Sequence, residues 1–311
     1  MVPCPSGLGL LNMTPEITYW NPYTSKYEVE KIYGEKWLRF SYEHILGKIG
    51  LWGMVQRKWF SKWYGSKMDS PKSKEKVLPF IQKYGLRPEE FLEDPIRFKT
   101  FNEFFYRKLC PDARPVDYDN KSIVFPADGR HLILPDLSTV TQIYAKGQAF
   151  DLRGLLGCSG LAERFQNGAM LISRLCPVDY HRFHFPISGQ LSNSKLINGS
   201  LFSVSPIALR QKISIFWENK RYFSTIDSPD IGKVAQVLIG ATCVGSVHIT
   251  SKENSFVNKG EEYGYFSFGG SCVITLYPEN SINFRKDLLE QSAKGYESYF
   301  KFGESLGLIK S

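Results

Sequence analysis

The chain has 311 residues, of which 42% are hydrophobic, 23% charged and 14% aromatic, enough for a sizeable core and for about two domains at the usual ~100–200 residues each. That composition excludes wholesale disorder, collagen-like repeats and a disulfide-stapled miniprotein. A net charge of +8 and a pI near 9.0 point to a polyanionic partner, either nucleic acid or an anionic membrane face. The six cysteines, Cys4, Cys110, Cys158, Cys176, Cys243 and Cys272, form no C-x-x-C pair, so a zinc ribbon is not expected and a reducing compartment fits. No run approaches the ~18 apolar residues of a spanning helix. The first thirty residues lack a basic start, an apolar run and a cleavage site, so export is not expected.

Residues 1–35 carry Pro and Gly breakers among several Tyr and read as an N-terminal arm without a defined element. Residues 36–115 form a basic, aromatic, helical region. Between Lys36 and Lys76, ten Lys or Arg face only Glu43, Asp69 and Glu75, and four of the six tryptophans fall here. Trp37, Phe40, Ser41, His44, Ile45, Lys48, Ile49 and Trp52 recur at helical spacing, and residues 55–64 repeat the mixture. Such a helix suits a bilayer interface, with rings among acyl chains and cations near phosphates; it equally suits packing on its own domain or binding a single strand of nucleic acid. Short helices are expected over residues 77–84, ending at Gly85, and 102–109, ending before Pro111.

From residue 116 to the end, short runs rich in Val, Ile, Phe and Tyr alternate with Gly, Pro, Asn and Asp. Strands are expected over residues 139–144, 170–175, 190–197, 212–217, 235–239, 243–250 and 272–277. Their spacing predicts an α+β fold, with helices collected N-terminally and a mostly antiparallel, β-rich domain after them.

Three segments could carry chemistry. In Cys176-Pro-Val-Asp-Tyr-His-Arg-Phe-His-Phe-Pro186, His181 and His184 stand three apart beside Asp179, a pattern open to a metal site, to proton transfer, or to plain hydrogen bonding in a loop. A zinc hydrolase using His181, His184 and Asp128 or Asp179 is the alternative function. In Phe268-Gly-Gly-Ser271 the glycines could free the backbone before a nucleophile or simply mark a bulge. Phe125-Pro-Ala-Asp-Gly-Arg130 places Asp128 in a turn. Together Asp128, His184 and Ser271 supply an acid, a base and a hydroxyl, the parts of a triad.

These segments resemble the phosphatidylserine decarboxylase family, pyruvoyl-dependent enzymes that convert phosphatidylserine to phosphatidylethanolamine. The resemblance rests on five motifs in order: Phe101-Asn-Glu-Phe-Phe105, Pro126-Ala-Asp-Gly129, Asp179-Tyr-His-Arg-Phe-His184, Gly199-Ser-Leu-Phe-Ser-Val-Ser-Pro206 and Phe268-Gly-Gly-Ser271. It implies self-cleavage between Gly270 and Ser271. Ser271, deprotonated by His184 with Asp128 behind it, attacks the Gly270 carbonyl; elimination and hydrolysis leave a pyruvoyl group, derived from Ser271, at the head of an α chain (271–311) that stays with a β chain (1–270). The ketone condenses with the substrate amine and accepts the electron pair freed when carbon dioxide leaves. His181 is implied in decarboxylation or protonation.

The resemblance further implies a peripheral place on the cytoplasmic side of the cell membrane, an anionic lipid surface as partner, association of like chains, and neither metal nor nucleic acid. Two departures stand out. Cys272 follows the cleavage serine where the family usually has Thr or Ser, and Ser205 stands where Asn is common.

Overall fold

The computed structural model describes residues 16–32, 34–44, 65–139, 150–241, 247–269 and 271–310. Gly270, most of the basic segment after His44, and most of the strand expected over 139–144 lie outside these residues, as does the first half of the one expected over 243–250. The described residues are α+β. An 11-stranded sheet runs Phe256–Val257, Gly189–Leu191, Arg221–Ser228, Gly232–Gly240, Ser271–Tyr277, Ala169–Leu175, Gly129–Leu134, Ser298–Phe300, Thr18–Asn21, Lys26–Val29, with Lys195–Ile197 also paired to Arg221–Ser228. Every ladder in it is antiparallel except the contact of Thr18–Asn21 with Ser298–Phe300.

The central strands read as mostly apolar runs because the sheet is covered on both sides. Along Ser271–Tyr277, Cys272, Ile274 and Leu276 enter one core with Met170, Ile172, Val237 and Phe216. Val273 and Tyr277 enter another with Leu171, Leu238, Phe183 and Phe266. Alternate residues of a strand point to opposite faces, so a strand between two cores shows no continuous polar face, and its few polar members, such as Ser173, Arg174, Gln236 and Thr275, are themselves buried. A third core gathers Val77, Phe80, Phe101, Phe104, Phe105 and Phe268.

The strands expected over 170–175, 235–239 and 272–277 form with slightly longer bounds, and 190–197 splits into two short strands. Three expectations are corrected. The N-terminal arm is not featureless, because Thr18–Asn21 and Lys26–Val29 form a hairpin on the sheet edge and Glu30 is buried behind it. Residues 212–217 do not form a strand. Ile215–Glu218 is a short helix, with Ile215 and Phe216 in the core and its last carbonyls held by Arg221, whose Nη1 donates to Trp217 O at 2.8 Å and Asn219 O at 2.9 Å. An alternating run also fits a helical turn, and the capping arginine decides between them. Nor are helices confined to the N-terminal third: Leu152–Leu156, Ser159–Phe165, Pro206–Gln211 and Lys286–Ala293 lie within the β-rich part.

Val77–Tyr84 forms as expected and ends at Gly85 in the left-handed region, whereas the helix expected over 102–109 closes early as Phe101–Phe105. No helix among the described residues is long and apolar enough to cross a membrane.

Candidate active site

Three neighbouring strands end together where the sheet meets the third core. Ser271, the first residue of its strand, is paired with Gly240 on one side and Leu175 on the other. After Leu175 the chain turns at once, with Asp179 N donating to Cys176 O at 2.8 Å and the Asp179 carboxylate accepting from Cys176 N at 2.6 Å. This turn swings His181 over the strand end, where its ring stacks on Phe105 at 3.8 Å.

The motifs converge here through hydrogen bonds between them. Asn102 of the first motif accepts from Phe268 N at 2.8 Å, and Phe101 and Phe105 pack their rings on Phe268. His184 N donates to Pro126 O at 2.8 Å, joining the histidine segment to the Asp128 turn. Asn219, fully buried, accepts from Phe202 N at 2.9 Å and donates to Phe202 O at 2.8 Å and Gly240 O at 3.0 Å. It thereby ties the Gly199–Pro206 segment to the strand end opposite Ser271. Two glycines are required by geometry. Gly269 has φ of 139°, a conformation L side chains rarely adopt. A Cβ on Gly129 would stand 2.4 Å from Arg174 O, too close for any side chain.

Ser271 is fully buried, and its Oγ lies 3.2 Å from His181 Nδ1. His181 Nε2 lies 3.0 Å from Cys176 O. A carbonyl only accepts, so Nε2 carries the proton and Nδ1 presents its lone pair to the serine hydroxyl. Burial, then the charge of Arg107, lowers His181 to about 3, so the imidazole is neutral near pH 7. His184 is also lowered to about 3, by burial and then Arg182. Its Nδ1 faces Gly260 O at 3.0 Å, its ring stacks on Phe302 at 3.6 Å, and its Nε2 is buried without a partner. Asp128 accepts from Arg114 Nε at 2.9 Å, from Arg114 Nη2 at 2.6 Å and from Phe302 N at 2.9 Å.

The three expected triad members make no hydrogen bond to one another. His181 occupies the position beside Ser271, while Asp128 and His184 each contact Phe302, one at its N–H and the other at its ring. The physical reason is the path of the chain. His181 sits at the turn that overhangs the strand end, whereas His184 belongs to the strand Arg182–His184, paired with Glu262–Phe266.

Nothing in the donor set favours a metal: the two imidazoles serve separate partners, and no group of three or more His, Cys, Asp or Glu among the described residues could hold an ion. Cys272 points into the core, and burial pushes its thiol up, away from the thiolate a nucleophile needs. The Ser205 hydroxyl is buried with no hydrogen-bond partner.

Of the residues that position the site, Arg174, Glu30 and Glu297 gave no sequence signal, and Arg130 entered only as the end of the Asp128 segment. Arg174 donates to Glu30 Oε2 at 2.7 Å and to Glu297 at 2.6 and 2.8 Å, and Arg130 holds Asp179 at 2.5 Å between the rings of Tyr19 and Tyr299. Burial raises the Asp179 carboxyl above its ordinary range. Single arginines among 39 basic residues carry no spacing that marks them.

The comparisons with known proteins agree with the ordered motifs. The family model for phosphatidylserine decarboxylase matches residues 101–308. A phosphatidylserine decarboxylase proenzyme of Clostridium kluyveri is 42% identical over 94% of this chain and 99% of its own length. Proenzymes of the same name from Fusobacterium nucleatum and Clostridium perfringens are 39% and 40% identical, over 95% and 94% of this chain and 99% of their own lengths. The chain belongs to the phosphatidylserine decarboxylase family.

Proposed function

We propose that this chain is a self-processing carboxy-lyase that removes carbon dioxide from phosphatidylserine to give phosphatidylethanolamine. The observation that carries the proposal is the buried Ser271 hydroxyl, at the start of a strand and behind Gly269, with the lone pair of a neutral imidazole 3.2 Å away. The arrangement fits the group the family implies, because position 271 is enclosed and flanked by His181, and the adjacent Cys272 thiol turns into the core.

In processing, Ser271 Oγ bonds to the Gly270 carbonyl carbon, the Gly270–Ser271 peptide bond breaks, and the serine nitrogen gains a proton. Loss of the Ser271 α-proton then expels Oγ with the Gly270 carboxylate, and water replaces the nitrogen, which leaves as ammonia. A pyruvoyl group formed in this way supplies the electron sink for decarboxylation.

Asp128 and His184 are assigned to the proton transfer of cleavage, supported by the unpartnered Nε2 lone pair of His184 and by their shared neighbour Phe302, whose N–H donates to Asp128 and whose ring stacks on His184. His181, which touches the reacting side chain, is assigned to protonation during turnover. The 3.2 Å contact favours a second reading, in which His181 itself takes the Ser271 proton. Ala at each position separates them: intact chain in His184→Ala but cleaved chain in His181→Ala supports the first, and the reverse supports the second.

The two chains are proposed to stay together because Ser271–Tyr277 lies between two partner strands and Arg174 grips Glu297 across the cut. Helix Glu35–Glu43 supports a peripheral seat on the cytoplasmic membrane face. Its Leu38 and Tyr42 turn inward, with Tyr42 OH accepting from Ser203 N at 2.9 Å, while Trp37 and Phe40 remain 44% and 49% exposed. Intact-mass spectrometry tests the core of the proposal. Purified protein should give a fragment ending at Gly270 and a small fragment with a blocked start, and unbroken chain in material that decarboxylates phosphatidylserine would overturn it.

A further inference from the structure

A cavity of about 120 Å³ lies behind the turn that carries His181, with Asp179 and Tyr180 on its wall. It is well above the ~10–15 Å³ that one water needs, and its wall is rich in cations. Each carboxylate there already has an arginine: Asp128 is held by Arg114, Glu90 by Arg114 and Arg87, and Asp179 by Arg130.

Two cations on the wall are left over. Arg107 is buried, and its Nε has no partner. Its other contacts are three backbone carbonyls at 3.4 Å, those of Phe104, Val178 and Asp179, beyond the usual 2.7–3.2 Å for such bonds. The guanidinium lies over the rings of Phe91 and Phe104 at 4.7 and 4.9 Å, and no carboxylate among the described residues is bound to it, although Asp128 and Asp179 attract it from a distance. Burial lowers it to about 10, with Asp128 and Asp179 opposing that shift only in part. Lys301 Nζ likewise faces the Tyr23 ring, at 5.4 Å, and no acid among the described residues is bound to it.

We propose that this cavity is a binding site for one small oxyanion, a phosphate or carboxylate, held by Arg107 and Lys301. A buried, poorly bonded guanidinium is expensive to keep without a counter-charge, and an oxyanion offers the two parallel acceptors its fork requires. The cavity is too small for a lipid but fits a headgroup phosphate or a free anion from solution, which share this chemistry.

The test uses the full chain carrying Ser271→Ala, so the result does not depend on processing or turnover. Inorganic phosphate is titrated by calorimetry and phosphorus NMR. Saturable binding is expected, weakened about tenfold or more in Arg107→Met and in Lys301→Met, as for loss of a charge-assisted hydrogen bond. Lys301 is partly exposed, so its variant keeps the test decisive if Arg107→Met does not fold. Displacement of phosphate by glycerophosphoserine assigns the site to the substrate headgroup, and simultaneous binding of both assigns it to a free anion; either retains the site. Phosphate binding that does not saturate, or that both variants leave unchanged, overturns it.

Discussion

The strand Ser271–Tyr277 has a partner on each side and a core on each face, whereas the hairpin Thr18–Asn21 and Lys26–Val29 joins the far edge of the same sheet through a single parallel register pair, Trp20 with Ser298. The centre is held by apolar burial, which needs only the right residue types at alternating positions. The edge is held by a buried charge network in which Glu30 and Glu297 meet Arg174, and the Cys176 thiol donates to Glu30 at 2.7 Å. The difference teaches where each kind of damage should appear: loss of a central side chain leaves a cavity, and loss of an edge acid leaves a buried cation short of a counter-charge.

The largest expected effect is at the head of the central strand. Ser271→Ala should leave the full 35.6 kDa chain intact by mass spectrometry and abolish carbon dioxide release from phosphatidylserine; residual cleavage at that bond would remove Ser271 from its role. Deeper in the same strand, Ile274→Ala should cost about 4 kcal/mol in urea denaturation, the usual scale for truncating a fully buried aliphatic side chain. At the edge, Glu30→Ala should cost about 3 kcal/mol, at the low end for breaking a buried pair because Glu297 still faces Arg174. A loss below about 1 kcal/mol would mean that the hairpin contributes little.

Acid should separate the buried histidines from the edge acid Glu30 by pH window. His131, His181 and His184, all buried, are lowered from 6.5 to about 3, so the unfolded chain binds more protons below 6.5. Their contribution is complete above that value and declines as pH falls from about 6.5 toward about 3. Glu30 is lowered from 4.5 to about 2, despite the opposing effect of burial, by Arg174 and Arg130; its contribution is lost only between those lower values. Melting temperature followed against pH should therefore start to fall below about 6.5, and Glu30→Gln should flatten only the limb below 4.5. A Glu30→Gln profile with the same limb would place the acid sensitivity elsewhere.

The smallest effect on stability belongs to the exposed aromatics of Glu35–Glu43. Trp37→Ala and Phe40→Ala should each stay within about 0.5 kcal/mol of the parent yet lower sedimentation with phosphatidylserine vesicles. Unchanged sedimentation would locate the membrane contact away from this helix.

Much of the central sheet was legible in the sequence, because burial on both faces writes short, mostly apolar runs, as in residues 170–175, 235–239 and 272–277, broken only by Ser173, Arg174, Gln236 and Thr275. The Lys212–Trp217 run misled because its alternation also fits a turn of helix. The hairpin was missed because its strands of four residues are half polar and owe their place to partners far away in the chain. Within the site, the motifs named Asp128, His181, His184 and Ser271, but spacing could not say which imidazole overhangs the serine. Arg107 and Arg174 carried no mark at all.

The sequence by itself determined the α+β class, the strands of the sheet centre and, through five motifs in order, the family. Only the tertiary structure decided that His181 rather than His184 meets the Ser271 hydroxyl, that Asp128 answers to Arg114, and that Glu30 closes a charge network with residues 174 and 297. Local pattern records which face of a segment is apolar, a property of neighbours in the chain. Hydrogen bonds and ion pairs depend instead on which distant segments the packing of three cores brings within about 3 Å.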